Sequence, residues 1–362
     1  MSAMAKDLES SFSLRALESG LVPDWLIRRR IRALLAQRLR EEDRGDPQAQ
    51  QEHLSRFVAE LRASPIAINT RDANQQHYEL PTAFFAQVLG KHMKYSSCLF
   101  ALDDQDAWRA PHEQLDSAAA AMLALTTQRA RISDGDRILE LGCGWGSLSL
   151  WLAERFPGSR ITGVSNSSSQ KQYIDTCAAL RGLTNLEIIT CDVNALELPA
   201  DEFDRVVSVE MFEHMRNYEM LLARVAGWMK PQATLFVHIF THPRFAYPFE
   251  VRDDSDWMAR YFFTGGIMPS HNLLLHFQRD QELLEQWSVD GRHYQLTSEA
   301  WLANMDAARP GILPILAETY GQDAAQRWWV YWRVFFMSCA ELWGFAGGGE
   351  WQVSHYLFRK KG

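Results

Sequence analysis

Glu210, Glu213 and His214 stand within five positions of one another, directly after the β-rich run 204–209. If a helix begins there, Glu210 and Glu213 share one face, because residues three positions apart are neighbours on a helix. Two nearby carboxylates raise each other's pKa, and a histidine titrates near neutrality. The three side chains therefore predict proton transfer to or from a substrate. A capping carboxylate beside a packed histidine is the alternative interpretation.

A glycine-rich turn is the second chemical signal. Gly142, Gly144 and Gly146 follow a β-rich run, with Glu140 two positions before the first glycine and a predicted helix beginning at Ser147. Glycines at such a turn let backbone amides approach a ligand at a helix N-terminus. The dinucleotide fingerprint needs a glycine where Ser147 stands. The GxGxG spacing instead resembles the nucleotide loop of class I S-adenosylmethionine methyltransferases; a turn without a ligand is the alternative.

Short β-rich runs alternate with helical segments from position 137 onward. The β-rich runs are 137–142, 160–165, 186–190, 204–209 and 234–240, and the predicted helices lie near 147–156, 168–180 and 218–229. This alternation is typical of a parallel sheet covered by helices on both faces. Open sheets of this kind bind ligands beyond the carboxyl ends of their strands, which is where the glycine turn and Glu210 fall.

The C-terminal part of the chain is predicted to complete the sheet and cover the site. We expect the run 352–359 to close the sheet as an edge strand. The segment between the fifth strand and this run is rich in aromatic side chains and largely helical in pattern. Because it follows a strand end, it is well placed to form a lid over a ligand.

Composition narrows the class of protein. The 362 residues are 47% hydrophobic and 23% charged, as in ordinary globular chains of one large or two smaller domains. The net charge of −8 argues against a nucleic-acid partner, because phosphate neutralisation needs a basic face. Five cysteines without ligand-type spacing argue against a disulfide scaffold and a metal site. They favour the cytoplasm, as does an opening segment without a signal-peptide pattern.

Two segments raise the question of a membrane. The segment 24–40 combines an apolar stripe with six arginines. We interpret it as a cap helix with a solvated basic face; a membrane-surface helix is the alternative. The segment 328–345 approaches the length of a membrane span, but Arg333 and Glu341 would each cost roughly 2.5–3.5 kcal/mol at a bilayer centre. It is predicted to be a buried helix.

Longer motifs identify a family resemblance. The segments HYELP (77–81), YSSC (95–98), GCGWGSL (142–148), 166–170 and VEMFEHM (209–215) occur in the order found in the cyclopropane-fatty-acid-synthase-like methyltransferases. Within that superfamily the chain most resembles the coclaurine N-methyltransferase group of benzylisoquinoline alkaloid pathways, through roughly residues 65–358. The carrying segments are INTRDANQQHYELPTAFF, VEMFEHMRNYE, FVHIFTHPRFAYPFEV, YFFTGGIMPS and YWRVFFMSCAELWGF.

The resemblance implies an α/β fold with a Rossmann-like, mostly parallel seven-stranded sheet. It implies an N-terminal helical cap in 1–110 that contributes to the active site, and a methyltransferase domain in 111–362 with a helical substrate insertion at about 243–350. A homodimer is also implied. The cofactor would be S-adenosyl-L-methionine, released as S-adenosyl-L-homocysteine. The residues that the resemblance assigns to this cofactor are Tyr95, Ser96, Glu140, Gly142, Gly144, Gly146, Ser165, Asn166, Gln170, Asp192 and Val193.

The implied substrate is a small cyclic or aromatic amine of the tetrahydroisoquinoline kind. Such amines are mostly protonated near pH 7, so methylation of the nitrogen needs a base nearby. The resemblance implies that Glu213 and His214 form the acid–base pair, with Glu210 close to the amine. Aromatic faces stabilise a cation by roughly 0.5–2 kcal/mol. The candidate substrate-binding residues are Tyr78, His238, Tyr331, Trp332 and Phe335; plain core packing is the alternative for the aromatic ones.

The main rival is cyclopropanation or carbon methylation of an unsaturated acyl chain. For that chemistry the resemblance implies a bicarbonate held by a cysteine, a glutamate, a histidine and a tyrosine. Glu213 and His238 match two of these positions, whereas Ser97 replaces the cysteine, Cys98 is shifted by one, and Phe335 replaces the tyrosine. The substitutions favour the amine. A lipid-binding module that has lost catalysis is a third, non-enzymatic interpretation.

Overall fold

The computed structural model describes residues 16–68, 80–250, 262–263 and 265–362. Its centre is a seven-stranded sheet in the order β3-β2-β1-β4-β5-β9-β8. The five strands β1 to β5 run parallel, while β9 and β8 are antiparallel to their neighbours. The predicted Rossmann-like, mostly parallel sheet of a class I methyltransferase is confirmed. The strands are β1 (Arg137–Leu141), β2 (Arg160–Ser165), β3 (Leu186–Thr190), β4 (Phe203–Val209), β5 (Met229–Thr241), β8 (Gln281–Val289) and β9 (Gln352–Lys360); β6 (Tyr247–Pro248) and β7 (Ile267–Met268) pair separately.

The last strand occupies a different place from the predicted one. The expectation that 352–359 forms the edge is wrong, because β9 lies between β5 and β8. Six successive residues, 353–358, are buried, as an internal strand requires. The edge strand is β8, whose half-buried sequence contains Glu282 and Glu285; charged side chains are typical of edges. Because its sequence contains many polar residues, this strand was not recognised within the segment predicted to be largely helical.

Eleven α-helices lie wholly within the described part of the chain. The helices α6, α7 and α8 connect the parallel strands and end within one residue of their predicted limits. The long helix α11 contains most of the segment 328–345, and no helix among the described residues is long and apolar enough to cross a membrane. The helices are α1 (Asp24–Glu42), α2 (Pro47–Ala63), α3 (Thr82–Val88), α4 (Gln105–Arg109), α5 (Leu115–Arg129), α6 (Ser147–Arg155), α7 (Ser168–Leu180), α8 (Tyr218–Trp228), α9 (Gly291–Ala307), α10 (Arg309–Tyr320) and α11 (Gln322–Gly344).

The arginine-rich helix α1 lies against the C-terminal helices. Arg28 forms ion pairs with Glu299 of α9 at 2.6 Å and with Glu341 of α11 at 3.0 Å. In return, Arg333 of α11 pairs with Asp24 at 2.8 Å. Arg333 and Glu341, the two charged residues that argue against a membrane span, thus form ion pairs with α1. The helix is docked on the body of the protein, as its interpretation as a cap requires.

Candidate active site

Glu210 has a strained backbone conformation immediately after β4. Its φ is +51°, in the left-handed region, and its N–H donates to the carbonyl of His238 at 2.9 Å. Glu210 therefore lies outside helical geometry, and the condition under which it would share a helix face with Glu213 is not met: the residues that follow form a single 3₁₀ turn, Phe212–His214. The left-handed conformation costs roughly 1–2 kcal/mol for a residue with a side chain. Such strain persists where the surroundings over-determine it, as functional sites often do.

Glu210 and Glu213 form an interacting pair of carboxyl groups, of which Glu213 is buried and Glu210 is 10% exposed. The Glu210 carboxylate accepts from the Nε2 of His238 at 3.1 Å and from the hydroxyl of Tyr294 at 3.3 Å, and it also bonds to the Glu213 carboxyl. Burial raises the pKa of Glu210 to about 7. Burial, followed by the charge of Glu210, raises the pKa of Glu213 well above its usual range. Glu213 therefore keeps its proton at neutral pH and donates a hydrogen bond to Glu210, which gains its negative charge as the pH rises through about 7.

His214 completes the group that the sequence singled out. Burial lowers the pKa of its imidazole to about 4, although the charge of Glu210 acts in the opposite direction. The ring is therefore neutral near pH 7 and retains a lone pair that can accept a proton. It stacks on the ring of Phe263, with centroids 5.5 Å apart and planes 12° apart. The site thus combines a neutral imidazole, a protonated acid and a carboxylate that titrates near neutrality.

Lys94 is a buried charge that the sequence reasoning missed. Its side chain is 3% exposed, and its Nζ donates to the Ser96 hydroxyl and to the Ser97 carbonyl at 2.8 Å. Burial lowers its pKa, whereas Glu210 and Glu140 raise it through their negative charges. The ammonium thus links the proton-transfer group to the glycine turn electrostatically. The available signal was a lysine inside the otherwise uncharged stretch 93–100, directly before two residues assigned to the cofactor.

Two glycines of the turn are packed closely against other side chains, and the third borders open space. Gly142, Gly144 and Gly146 all have positive φ, at +79°, +52° and +75°. A Cβ on Gly142 would lie 2.8 Å from Met211, and one on Gly146 would lie 2.6 Å from Ile174. A Cβ on Gly144 would meet nothing within 4 Å. Gly144 therefore borders open space, which suits close approach of a cofactor to the backbone.

Polar groups around this space have unused hydrogen-bonding capacity. The Ser165 hydroxyl donates to Oε1 of Gln170 at 2.6 Å, while the buried Nε2 of Gln170 has no partner among the described residues. Buried donors of this kind normally have a partner, so a ligand atom would complete the site. Glu140 accepts from the Ser149 hydroxyl, and burial raises its pKa to about 7. These features fit a nucleoside-containing cofactor.

The remaining residues assigned to the cofactor lie at the predicted strand ends or beside them. Asp192 accepts from the N–H of Asn194 at 2.8 Å and so stabilises a turn after β3 rather than capping a helix. Val193 follows it, and its carbonyl accepts from Arg224. Asn166 is exposed after β2.

The N-terminal segment approaches the glycine turn through aromatic contacts. Tyr95 packs between Phe85 and Trp301, with ring centroids 5.5 and 5.4 Å away. Phe85 in turn contacts Trp145 of the glycine turn at 5.1 Å. Ser96 lies beside this cluster and is held by Lys94.

An aromatic wall connects the proton-transfer group with α11. Trp332 and Phe335 face Phe262, with ring centroids 5.1 and 4.4 Å away. The next residue in the chain, Phe263, stacks on His214. Trp332 and Phe335 thus reach the neighbour of the residue that contacts His214, whereas the candidate substrate residue His238 contacts the acid–base group directly through Glu210. Tyr331 instead donates its hydroxyl to Glu18 at 2.5 Å, and Tyr78 lies outside the described residues.

The positions expected for a bicarbonate site are occupied differently. His238 hydrogen-bonds to Glu210. The Ser97 hydroxyl donates to the carbonyl of Cys98 at 3.2 Å. Burial raises the pKa of the Cys98 thiol to about 11, and its N–H donates to Thr297. Within the described ranges no group of histidine, cysteine, aspartate or glutamate residues is arranged to hold a metal ion.

Comparison with known proteins adds three findings. The profile of the family described as mycolic acid cyclopropane synthetase matches residues 67–343. (S)-Coclaurine N-methyltransferase of Thalictrum flavum subsp. glaucum is 38% identical over 352 residues, which cover 96% of this chain and 95% of the relative. Cyclopropane-fatty-acyl-phospholipid synthase of Escherichia coli K12 is 28% identical and matches 68% of this chain and 59% of its own length.

The structural comparison agrees with the sequence comparison. The crystal structure of coclaurine N-methyltransferase bound to N-methylheliamine and S-adenosylhomocysteine superimposes with a TM-score of 0.91 at 36% sequence identity. The match covers 97% of this chain and 99% of that one. Because the match covers nearly all of both chains, the structural similarity extends to the helices outside the sheet.

Proposed function

The chain belongs to the mycolic acid cyclopropane synthetase family and, within it, to the coclaurine N-methyltransferase-like enzymes, and we propose that it methylates the nitrogen of a small cyclic or aromatic amine. It is an S-adenosylmethionine-dependent methyltransferase. The observation that carries the amine assignment is the group Glu210, Glu213 and His214, buried beside an aromatic wall. This group can accept a proton and stabilise a cation at the same place.

Removal of the proton from the substrate is the task of the carboxyl–imidazole group. When bound, S-adenosylmethionine supplies an electrophilic methyl group for in-line displacement by a lone pair. The protonated amine has no such lone pair, so the Glu210 carboxylate, whose pKa is about 7, is the main acceptor for its proton, and neutral His214 is a weaker second acceptor. Protonated Glu213 supports Glu210 by donating a hydrogen bond. The methylated amine leaves as an ammonium ion, and the proton taken from the substrate is released to solvent before the next turnover. We thus keep Glu213 and His214 as the acid–base pair, with Glu210 nearest the charge.

The surrounding residues hold the cofactor and orient the amine. The backbone at Gly144, the Nε2 of Gln170 and the Asp192 carboxylate are our candidates for the nucleoside and methionine contacts, together with the other residues assigned above. A flat, cationic substrate would pack against the aromatic wall to which Trp332 and Phe335 belong. Their burial excludes water, which strengthens the attraction between the cation and Glu210.

Several finer assignments are part of the proposal. We propose a helical cap in 1–110 on a methyltransferase domain in 111–362, supported by the ion pairs between α1 and α11. A homodimer stays a prediction from the resemblance. We place the enzyme in the cytoplasm, a choice supported by five cysteines that are all free thiols.

A direct test incubates the purified protein with S-adenosylmethionine and single amines, among them tetrahydroisoquinoline and its N-methyl derivative. Nuclear magnetic resonance of the product then identifies the atom that carries the new methyl group. We expect nitrogen methylation by the wild type and none by Gly144→Val. A methyl group on carbon, or no product from any cyclic amine, would contradict the proposal.

A further inference from the structure

A chain of hydrogen-bonded side chains runs from Glu210 to the far end of helix α5. The Nη1 of Arg129 lies 2.8 Å from the Nδ1 of His355. The Nε2 of His355 lies 2.9 Å from the Nδ1 of His238, and the Nε2 of His238 lies 3.1 Å from the Oε1 of Glu210. His238 and His355 are register partners on β5 and β9, and neither side chain is exposed.

The arginine at the end of this chain determines where every proton lies. A guanidinium group only donates and stays protonated in proteins, so the Nδ1 of His355 must accept from Arg129. The single proton of His355 is then on Nε2, from which it is donated to the Nδ1 of His238. His238 in turn carries its proton on Nε2 and donates it to Glu210. Which nitrogen is protonated in one imidazole is set by the bond that the other nitrogen makes.

Both imidazoles are neutral, as this arrangement requires. Burial lowers the pKa of His238 and of His355, and the positive charges of Lys94 and Arg129 act in the same direction. The charged groups that face the chain are therefore Lys94 and Arg129 on the positive side and Glu210 on the negative side. Glu285 on β8 faces Arg129 from outside.

Arg129 is held in place by the edge strand of the sheet. It is the last residue of α5, and its guanidinium lies 4.8 Å from the centroid of the Trp287 ring on β8. The stacking fixes the plane from which the guanidinium points towards His355. The strands β8 and β9 thus contribute one side chain each, Trp287 and His355, to the chain that ends at Glu210. Neither strand belongs to the parallel part of the sheet that carries the glycine turn.

We propose that Arg129 and His355 are positioning residues that lock His238 as a hydrogen-bond donor to Glu210 and thereby keep Glu210 as the proton acceptor in methyl transfer. The role in methyl transfer rests on the proposed function; the lock itself does not. The chain is not a path for protons to solvent, since Arg129 cannot release its proton to pass one on. The residues assigned to catalysis remain Glu210, Glu213 and His214, and the lock acts on Glu210 through His238.

The lock is tested without substrate by the ¹⁵N resonances of the histidine rings in full-length protein. The signals of His238 and His355 are assigned by their loss in single glutamine variants. In the wild type both rings should carry their proton on Nε2 only. In Arg129→Met, His355 should become a mixture of tautomers, whereas Arg129→Lys, which retains a cationic donor, should preserve the pattern. Arg131→Met, at a half-exposed arginine that pairs with Glu285, is the matched control.

Activity and its pH profile supply the second readout. In Arg129→Met we expect kcat to fall tenfold or more, with KM for the amine within twofold. Its rising pH limb should move to higher pH, because Glu210 loses a donor that stabilises its charged form. A second pair of variants, at His355, tests the lock if Arg129→Met does not fold. His355→Gln can accept from Arg129 and donate to His238, so it should retain activity, while His355→Leu should lose it with a similar unfolding temperature.

The possible results separate the lock from the proposed function. Unchanged tautomers and an unchanged pH limb in Arg129→Met would overturn the lock, as would equal activity of the His355→Leu and His355→Gln variants. A wild type that shows the expected tautomers but yields no N-methyl product would contradict the proposed function alone. Tautomer mixing together with a shifted pH limb, both reversed in Arg129→Lys, would support the inference.

Discussion

The substitution Glu210→Gln separates the catalytic role of this carboxylate from its effect on stability. Glutamine keeps the shape of the side chain and an oxygen that can accept from His238, but it cannot take a proton from the substrate. A positioned general base contributes typically 10²–10⁴-fold to a rate. Because neutral His214 remains as a second acceptor, we expect kcat to fall by about 10²-fold, equivalent to about 2.7 kcal/mol.

Stability should change in the opposite direction. Burial raises the pKa of Glu210 from 4.5 to about 7, so the folded protein bears the cost of a desolvated charge above neutrality. At 1.36 kcal/mol for each pKa unit, this cost reaches about 3 kcal/mol at pH 8. Glu210→Gln removes it and should therefore be as stable as the wild type or more stable. The hydrogen bonds from His238 and Tyr294 become weaker, which offsets part of the gain.

The assay compares single-turnover methyl transfer, cofactor affinity and thermal unfolding for the wild type, Glu210→Gln and Glu202→Gln. Glu202 precedes the opposite end of β4 and pairs with Arg137 on the surface, so it controls for loss of a charge. The wild-type rate should rise with pH through about 7 as Glu210 ionises, and this limb should vanish in Glu210→Gln. An unchanged rate, or a loss of activity matched by a loss of stability, would exclude Glu210 as the proton acceptor.

Other substitutions test the cofactor turn, the buried charge and the aromatic wall. Gly144→Val should weaken cofactor binding more than tenfold, because the side chain fills the space beside the backbone; Gly182→Val, at a similar positive φ on the surface, should bind normally in calorimetry. Burial raises the pKa of Glu140 to about 7, so the folded state loses stability as pH rises from about 4.5 through 7. Between pH 5 and pH 8, the free energy of unfolding of Glu140→Gln should therefore fall by up to about 3 kcal/mol less than that of the wild type. Phe335→Leu should raise KM for the amine about 2- to 30-fold with little change in kcat, since it loses only a ring face of roughly 0.5–2 kcal/mol; a constant KM would identify Phe335 as core. His214→Phe should lower turnover at unchanged cofactor affinity, and equal turnover would exclude His214 as a proton acceptor.

Local signals predicted the strands, helices and glycine turn of the parallel part of the sheet. The glycines of the turn after β1 adopt the positive φ angles that only glycine tolerates well, so their spacing alone was enough to predict the tight turn. The helices α6 to α8 follow from apolar periodicity and were predicted to within one residue. The position of β9 was not predictable in this way, because a run of apolar residues specifies burial but not which strands lie beside it.

The less predictable features of the site depend on contacts between distant parts of the chain. His355 meets His238 across 117 positions and Arg129 across 226 positions. Neither pairing leaves a pattern in the local sequence. Lys94 was overlooked because lysine is almost never buried unless it is paired. The left-handed conformation of Glu210 was missed for a similar reason, since the residue type gives no warning of it.

The most direct test of the account is competition between the two kinds of methyl acceptor. The protein is incubated with methyl-labelled S-adenosylmethionine, tetrahydroisoquinolines and vesicles of unsaturated phospholipid together, and the label is partitioned between water-soluble amine and extracted lipid. Label in the amine, lost in Glu210→Gln, is the predicted result. Label in the lipid would contradict the account and would mean that Ser97 and Phe335 are compatible with acyl-chain chemistry.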